Sequence, residues 1–267
     1  MSYPCLGKTT ISQIIFYVNK HPTFGSYANP IKNRIEKSPY YYWWLALTLN
    51  DDYVELCSNP SSNRFKTNRV IQKVYEDFGD VRYEGDKHLA FTKWWRSKAN
   101  ETETIGEYLF AEPISVNKVM LVDDSDTAIQ AVEDESSLLI RVPKNIRRKQ
   151  IDVSIDRIFA KELEFEKGRQ VRNPNRSNAR YHLTKPIKIE NLKASFDVYE
   201  IQRLAQMNDE KVNNKKLAKT IGLKVERRVK DEAYDAAYEA RIVSVAISRK
   251  KKLAIDAIAN VVEGKFI

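Results

Sequence analysis

Apolar positions recur at helical intervals along most of the chain. Ser38 followed by Pro39 pairs an N-cap with a first helical residue, and Trp43, Trp44, Leu47 and Leu56 continue at helical spacing until Asn59-Pro60. That pattern predicts one helix of about five turns. Val70, Ile71, Val74 and Tyr75 make a second stripe that closes near Phe78-Gly79, and Leu89, Phe91, Trp94 and Trp95 make a third. Ile11, Ile14, Ile15 and Val18 predict a further helix over 10–19.

Pro143 leads into a predicted helix carrying Ile146, Ile151, Ile155, Ile158, Phe159 and Leu163. Leu192, Phe196, Tyr199 and Leu204 mark another, and Leu217, Ala218 and Ile221 mark a short one closed by Gly222. A long helical pattern then runs over 225–262, with a break or bend expected at Ser248-Arg249 and a C-cap at Gly264. Only 119–122 and 138–142 read as strands. The expectation is a mainly α fold with one or two short strands.

Composition and charge divide this run of helices. All four tryptophans, with Tyr40, Tyr41 and Tyr42, lie in the first hundred residues and mark an aromatic-rich helical module over 1–111. Asp123, Asp124, Asp126, Glu133, Asp134 and Glu135 crowd an acidic connector over 112–137, where Lys118 is the single basic residue. The sign then flips in a basic helical module over 138–267. Within it, 168–184 contains four arginines and almost nothing apolar, and reads as a long mobile loop.

The 267 residues, 42% hydrophobic and 30% charged, suffice for a folded core. The longest apolar runs, such as Trp43 to Leu47, fall far short of the roughly 20 residues of a membrane span. The opening MSYPCLGKTT has no apolar stretch of the kind a secretory signal needs. A cytoplasmic protein of a bacterial host, or a virion-associated one, is expected, without a membrane partner. Cys5 and Cys57 are too few for a disulfide framework and too far apart for a zinc knuckle or redox pair.

Catalytic patterns are tested and fail. Gly7-Lys8-Thr9-Thr10 has the tail of a phosphate-binding loop, but Ser2 stands where its first glycine belongs and no strand can precede it. Asp51-Asp52 and the Asp123, Asp124, Asp126 group match no calcium or magnesium spacing. His21, His88 and His182 form no HxxxH pair. Arg180-Tyr181-His182, with Tyr199 downstream, lacks the upstream arginine and the interval of a tyrosine recombinase. No nucleophile elbow or dinucleotide motif occurs. A non-enzyme without cofactor or metal is expected.

The positive signal is charge. A net charge of +9 favours acidic partners, either nucleic acid or an acidic protein surface. Lys215 and Lys219 lie on a short helix ending at Gly222, and Lys224, Arg227, Arg228 and Lys230 follow on a basic segment. That order matches the first helix, turn and recognition helix of a helix-turn-helix. Arg249, Lys250, Lys251 and Lys252 form a second basic cluster, ahead of an apolar stripe expected to dock on the chain's own helical bundle, the alternatives being a second copy or another protein. Arg169, Arg172, Arg176 and Arg180 in the 168–184 loop complete the candidate phosphate contacts.

At Tyr75-Glu76-Asp77-Phe78-Gly79-Asp80-Val81, then Phe91, Trp94-Trp95 and Leu109-Phe110-Ala111-Glu112-Pro113, the chain resembles a group of proteins carried by Gram-negative bacteria, phages and mobile elements. The likeness extends through Val142-Pro143 to Asn260, Gly264, Lys265 and Phe266, most of the length. It implies a phage or mobile-element setting and carries over no activity and no site residue. The leading expectation is therefore a non-enzymatic nucleic-acid-binding accessory or regulatory protein of a phage, satellite or mobile element. The alternative is a virion, capsid-assembly or scaffolding protein that acts through protein contacts as a homo-oligomer.

Overall fold

The computed structural model describes residues 16, 23–112, 122, 124–133, 138–162, 165–166, 169–170, 177–183, 188–223 and 236–267. The fold is mainly α. In chain order the helices are α1 (Lys32–Ile35), α2 (Pro39–Leu49), α3 (Asp51–Ser58), α4 (Asn63–Lys66), α5 (Arg69–Phe78), α6 (Lys87–Arg96), α7 (Ile105–Phe110), α8 (Ser125–Glu133), α9 (Arg148–Glu162), α10 (Ile189–Met207), α11 (Asn214–Thr220) and α12 (Ala236–Asn260), with a 3-10 turn at Val261–Glu263. The one sheet among the described residues pairs β1 (Phe165–Glu166) with β2 (Arg169–Gln170), antiparallel.

The chain forms two compact units, one within 1–21 and 110–182 and the other within 22–109 and 183–267. In the second, α2 is the centre. Every residue from Pro39 to Leu47 is buried, so the helix is apolar all round and must be covered on every side. Aromatic rings supply much of that cover. Trp43 stacks on Phe78 and on Phe266, at ring separations of 6.3 and 5.3 Å. Trp44 lies against Tyr83, Phe91 and Trp94, Tyr40 against Trp95, and Tyr42 against Phe196 of α10. Each such buried side chain contributes about 1.5–3 kcal/mol of apolar burial. Close packing extends to Gly106, where a Cβ would fall 2.2 Å from the Trp95 ring.

The predicted five-turn helix is two helices. Asn50 adopts an extended conformation, φ −85° and ψ 115°, and its side chain accepts a hydrogen bond from the Tyr53 amide at 2.9 Å, capping α3. Asparagine competes with the helix in this way because its amide reaches the backbone two or three residues on. The same side chain donates to the Ile258 carbonyl on α12 at 2.8 Å. Arg203 of α10 donates to the Leu49 carbonyl at 3.0 Å and to Asp51 at 2.8 Å, so the α2–α3 joint is held from two later helices. Ser38 precedes α2 as expected, but its hydroxyl makes no capping bond and is buried without a partner.

Helices α5, α6 and α10 lie where the apolar stripes place them. Three other expectations are corrected. Residues 138–142 form no strand: they are irregular, and Leu138, Leu139 and Val142 are exposed. Helix α12 runs unbroken through Ser248-Arg249, because Val243, Ile247, Ala254, Ala257 and Ile258 keep one buried stripe along it. The described part of 168–184 is not bare loop, since Arg169 and Gln170 pair in β2 and Ala179, Tyr181 and Leu183 are buried. Ser177 Oγ and the Asn178 amide both donate to Glu112, at 2.6 and 2.9 Å. The expected helix over 10–19 and the strand over 119–122 fall outside the described residues, apart from Phe16 and Val122.

Replacing Asn50 by alanine removes a cap and a tether together and should lower stability by about 2 kcal/mol, read from the urea midpoint. Asn50→Asp keeps the acceptor for Tyr53 but loses the donor to Ile258, and should recover roughly half of that loss. Acid sensitivity should trace to Asp86, which caps α6. Its carboxylate is held at about 2, first by the Leu89 amide and, after an opposing effect of burial, by the His88 amide and Lys32. A carboxyl depressed in the folded state stabilises above its ordinary value of 3.8 and loses that contribution as pH falls through about 2. Asp86→Asn should therefore narrow its stability gap from the parent protein between pH 4 and 2, followed by circular dichroism, about as far as those pKa values require.

Candidate nucleic-acid interface on two basic helices

Helix α11 begins at Asn213, whose side chain accepts from the Lys215 and Lys216 amides, and ends at Gly222, whose φ of +63° makes the turn. Leu217 and Ala218 are its buried face, and they join Val198 of α10 with Val243 and Ile247 of α12 in one apolar cluster. Anchoring that face leaves Lys215, Lys216 and Lys219 exposed on the other. On α12 the same logic holds, because the stripe through Ile247, Ala254 and Ile258 turns Arg249 and Lys252 outward and leaves Lys250 and Lys251 half-buried at its flanks.

A shallow cleft of about 420 Å³ lies between the end of α10, the segment that follows it and Lys251 of α12, lined by Gln202, Gln206, Asp209, Glu210, Lys211 and Val212 with Lys251. Gln202 Oε1 is buried there with no hydrogen-bond partner. Asp209, in a left-handed conformation at φ +56°, and Glu210 are the carboxylates of this edge.

Elsewhere in the unit some basic side chains meet carboxylates, namely Lys32 with Asp86, Arg64 with Asp52 and Glu55, Arg82 with Asp80, Lys87 with Glu200, Lys193 with Glu36 and Arg203 with Asp51. What distinguishes α11 and α12 is that their cations gather on two adjoining helices. Among the described residues, Lys215, Lys216, Lys219 and Arg249 to Lys252 form no ion pair within 4.0 Å. Burial pulls the Lys250 ammonium below the ordinary lysine value. A partly desolvated cation without an anion is a group that gains from binding one.

The remaining predicted contacts are not all visible. Lys224, Arg227, Arg228, Lys230, Arg172 and Arg176 fall outside the described residues, and with them the recognition helix of the expected helix-turn-helix. Arg169 sits in β2, and Arg180 is exposed but already engaged by another group.

A second polar constellation escapes the sequence. His88, buried at the start of α6, has Nε2 3.2 Å from Glu36 and Nδ1 3.5 Å from Asp86, with its ring stacked on Tyr41 at 5.5 Å. Lys193 of α10 donates to the other Glu36 oxygen at 2.7 Å. Burial pushes the Glu36 carboxyl up, but Lys193 and then His88 outweigh it and hold it below its ordinary value. Burial raises Asp197 beside them, against the pull of Lys193. The cluster joins the α1–α2 turn to α6 and α10. Among the described residues no three His, Cys, Asp or Glu gather as a metal site, and no helix is long and apolar enough to cross a membrane.

No family model, no curated protein and no solved structure matches the chain.

Cys57 is buried, and burial pushes its thiol up to about 11, which leaves little thiolate at neutral pH. In a Cys5→Ser protein, Cys57 should stay unreactive toward a thiol-disulfide dye at pH 7.5 until denaturant is added. Labelling of the native protein at the rate of a free cysteine would contradict this burial.

Proposed function

We propose that this protein binds nucleic acid through the exposed faces of α11 and α12, as an accessory or regulatory factor without catalytic activity. The observation that carries this reading is the gathering of seven cations without an ion pair among the described residues, Lys215, Lys216, Lys219 and Arg249 to Lys252, on two helices packed against each other. Phosphates would complete what the fold leaves uncompensated, and helices present lysine and arginine to a duplex as rigid positioning groups. The phage or mobile-element setting belongs to the same proposal and rests on the sequence resemblance alone.

A second reading, an assembly protein acting through protein contacts, is favoured by a different observation. The unit within 110–182 leaves Ile129, Val132, Leu138, Leu139, Ile158 and Phe159 exposed, apolar surface of the sort that protein contacts cover.

A surface that neutralises about four phosphates should lose on the order of 100-fold in duplex affinity between 50 and 200 mM salt. Lys250→Ala, Lys251→Ala and Lys252→Ala combined should flatten the log-log salt slope by roughly 2–3 and weaken binding alike on all sequences, measured by fluorescence anisotropy. Affinity that hardly changes with salt would sink the nucleic-acid reading. Capture of partners from the host, with and without nuclease, separates the two readings: partners lost on digestion favour nucleic acid, and partners retained favour assembly.

A further inference from the structure

A cleft of about 390 Å³ lies between the end of α5, the segment 79–86 and one face of α6. Leu89, Ala90, Lys93, Trp94 and Ser97 recur at helical spacing, so α6 presents them on one side. Phe78 and Trp94, stacked at 5.9 Å, make its apolar wall, with Leu89, Ala90 and Ile105 half-buried beside them. The Trp94 Nε1 donates to the Phe78 carbonyl at 2.8 Å, so the polar edge of that ring is already satisfied. Gly79 leaves α5 at φ +68°, and no atom lies within 4 Å of where a Cβ would stand, so space is open beside it.

Five charged residues line the same cleft, and three of them are spent within the fold. Arg82 donates to both oxygens of Asp80, at 2.6 to 3.1 Å, and to the Ser58 hydroxyl. Asp86 caps α6 through the His88 and Leu89 amides and meets Lys32 at 3.3 Å. With Asp80 answered by Arg82, the charges left over are one anion, Glu84, and one cation, Lys93. Both are exposed, and neither forms an ion pair within 4.0 Å among the described residues. Glu84 stands ahead of the α6 N-cap, and Lys93 lies about 10 Å past that cap along the helix axis. The two charges therefore flank the apolar wall.

A cleft of this volume, apolar with a few convergent polar groups, suits a small molecule. An apolar ligand would leave both charges unanswered, and a ligand of one sign would leave one. We propose that this cleft binds a small apolar zwitterion, an amino acid with a large apolar side chain or a dipeptide of such residues. Its ammonium meets Glu84, its carboxylate meets Lys93, and its side chain lies against Trp94, Leu89 and Ala90. Apolar burial supplies most of the affinity, and the two exposed charges set orientation and selectivity.

The site is separate from α11 and α12, so its test does not depend on nucleic-acid binding. Nuclease-treated full-length protein is titrated by calorimetry with L-phenylalanine and with the dipeptide Phe-Leu, and with glycine as the ligand lacking an apolar body. One or both of the first two should bind, which of them showing the length the cleft accepts, and glycine should not. Capping the ligand amine by acetylation should cost about three- to fivefold in the parent protein and nothing in Glu84→Gln; capping its carboxylate as the amide should cost as much, and nothing in Lys93→Gln. Ala90→Phe should fill the cleft and abolish binding, with an unchanged near-ultraviolet spectrum showing that the variant is folded. Should Ala90→Phe unfold, the exposed Glu84 and Lys93 variants still decide. Three results overturn the proposal: no binding of either ligand at about 5 mM, capped and free ligands bound alike by the parent protein, or full binding retained by a folded Ala90→Phe.

Discussion

A helix buried around its whole circumference sets the terms for everything packed against it. Nine consecutive residues of α2, five of them aromatic, have no face for water, so neighbours must arrive from every direction. Helices α5 and α6 provide Phe78, Phe91, Trp94 and Trp95, and the later part of the chain provides Phe196 and Phe266. The polar joint after α2 is fixed from the same late segments, through Asn50 to Ile258 and Arg203 to Leu49. Aromatic burial supplies the bulk of the free energy there, and these few hydrogen bonds set the register.

Once α10 and α12 are committed to α2, their outward sides and the helix α11 docked on them are what remains for function. Nearer the core some charges are answered locally, as where Lys193 meets Glu36. On α11 and α12, seven cations gather with no ion pair among the described residues.

The helices with strong apolar stripes, α5, α6, α10 and α11, were legible from spacing alone, because a helix that buries one side announces its period. What spacing could not show was a change of partner. Apolar residues go on past Leu47 to Leu56, and the capping chemistry of Asn50 divides them between two helices. Leu138 to Val142 has the composition of a strand but no neighbouring strand to pair with, and β-propensity is chiefly a matter of such neighbours. Ala179 and Tyr181 looked too sparse to order their segment, yet both are buried. The basic residues of the candidate interface were visible as sequence, whereas their lack of carboxylate partners was not. His88 and Glu36 lie 52 residues apart, and Lys193 and Glu36 lie 157 apart, so no linear motif could have joined them.

The stacking of Phe266 on Trp43 has a consequence for how the molecule is made. Ribosomes add roughly 5–20 residues per second, so the aromatic segment leaves the exit tunnel on the order of ten to forty seconds before its last ring is translated. During that interval α5 and α6 can already cover part of the aromatic helix, but the sides of Trp43 and Tyr42 that meet Phe266 and Phe196 wait for the end of translation.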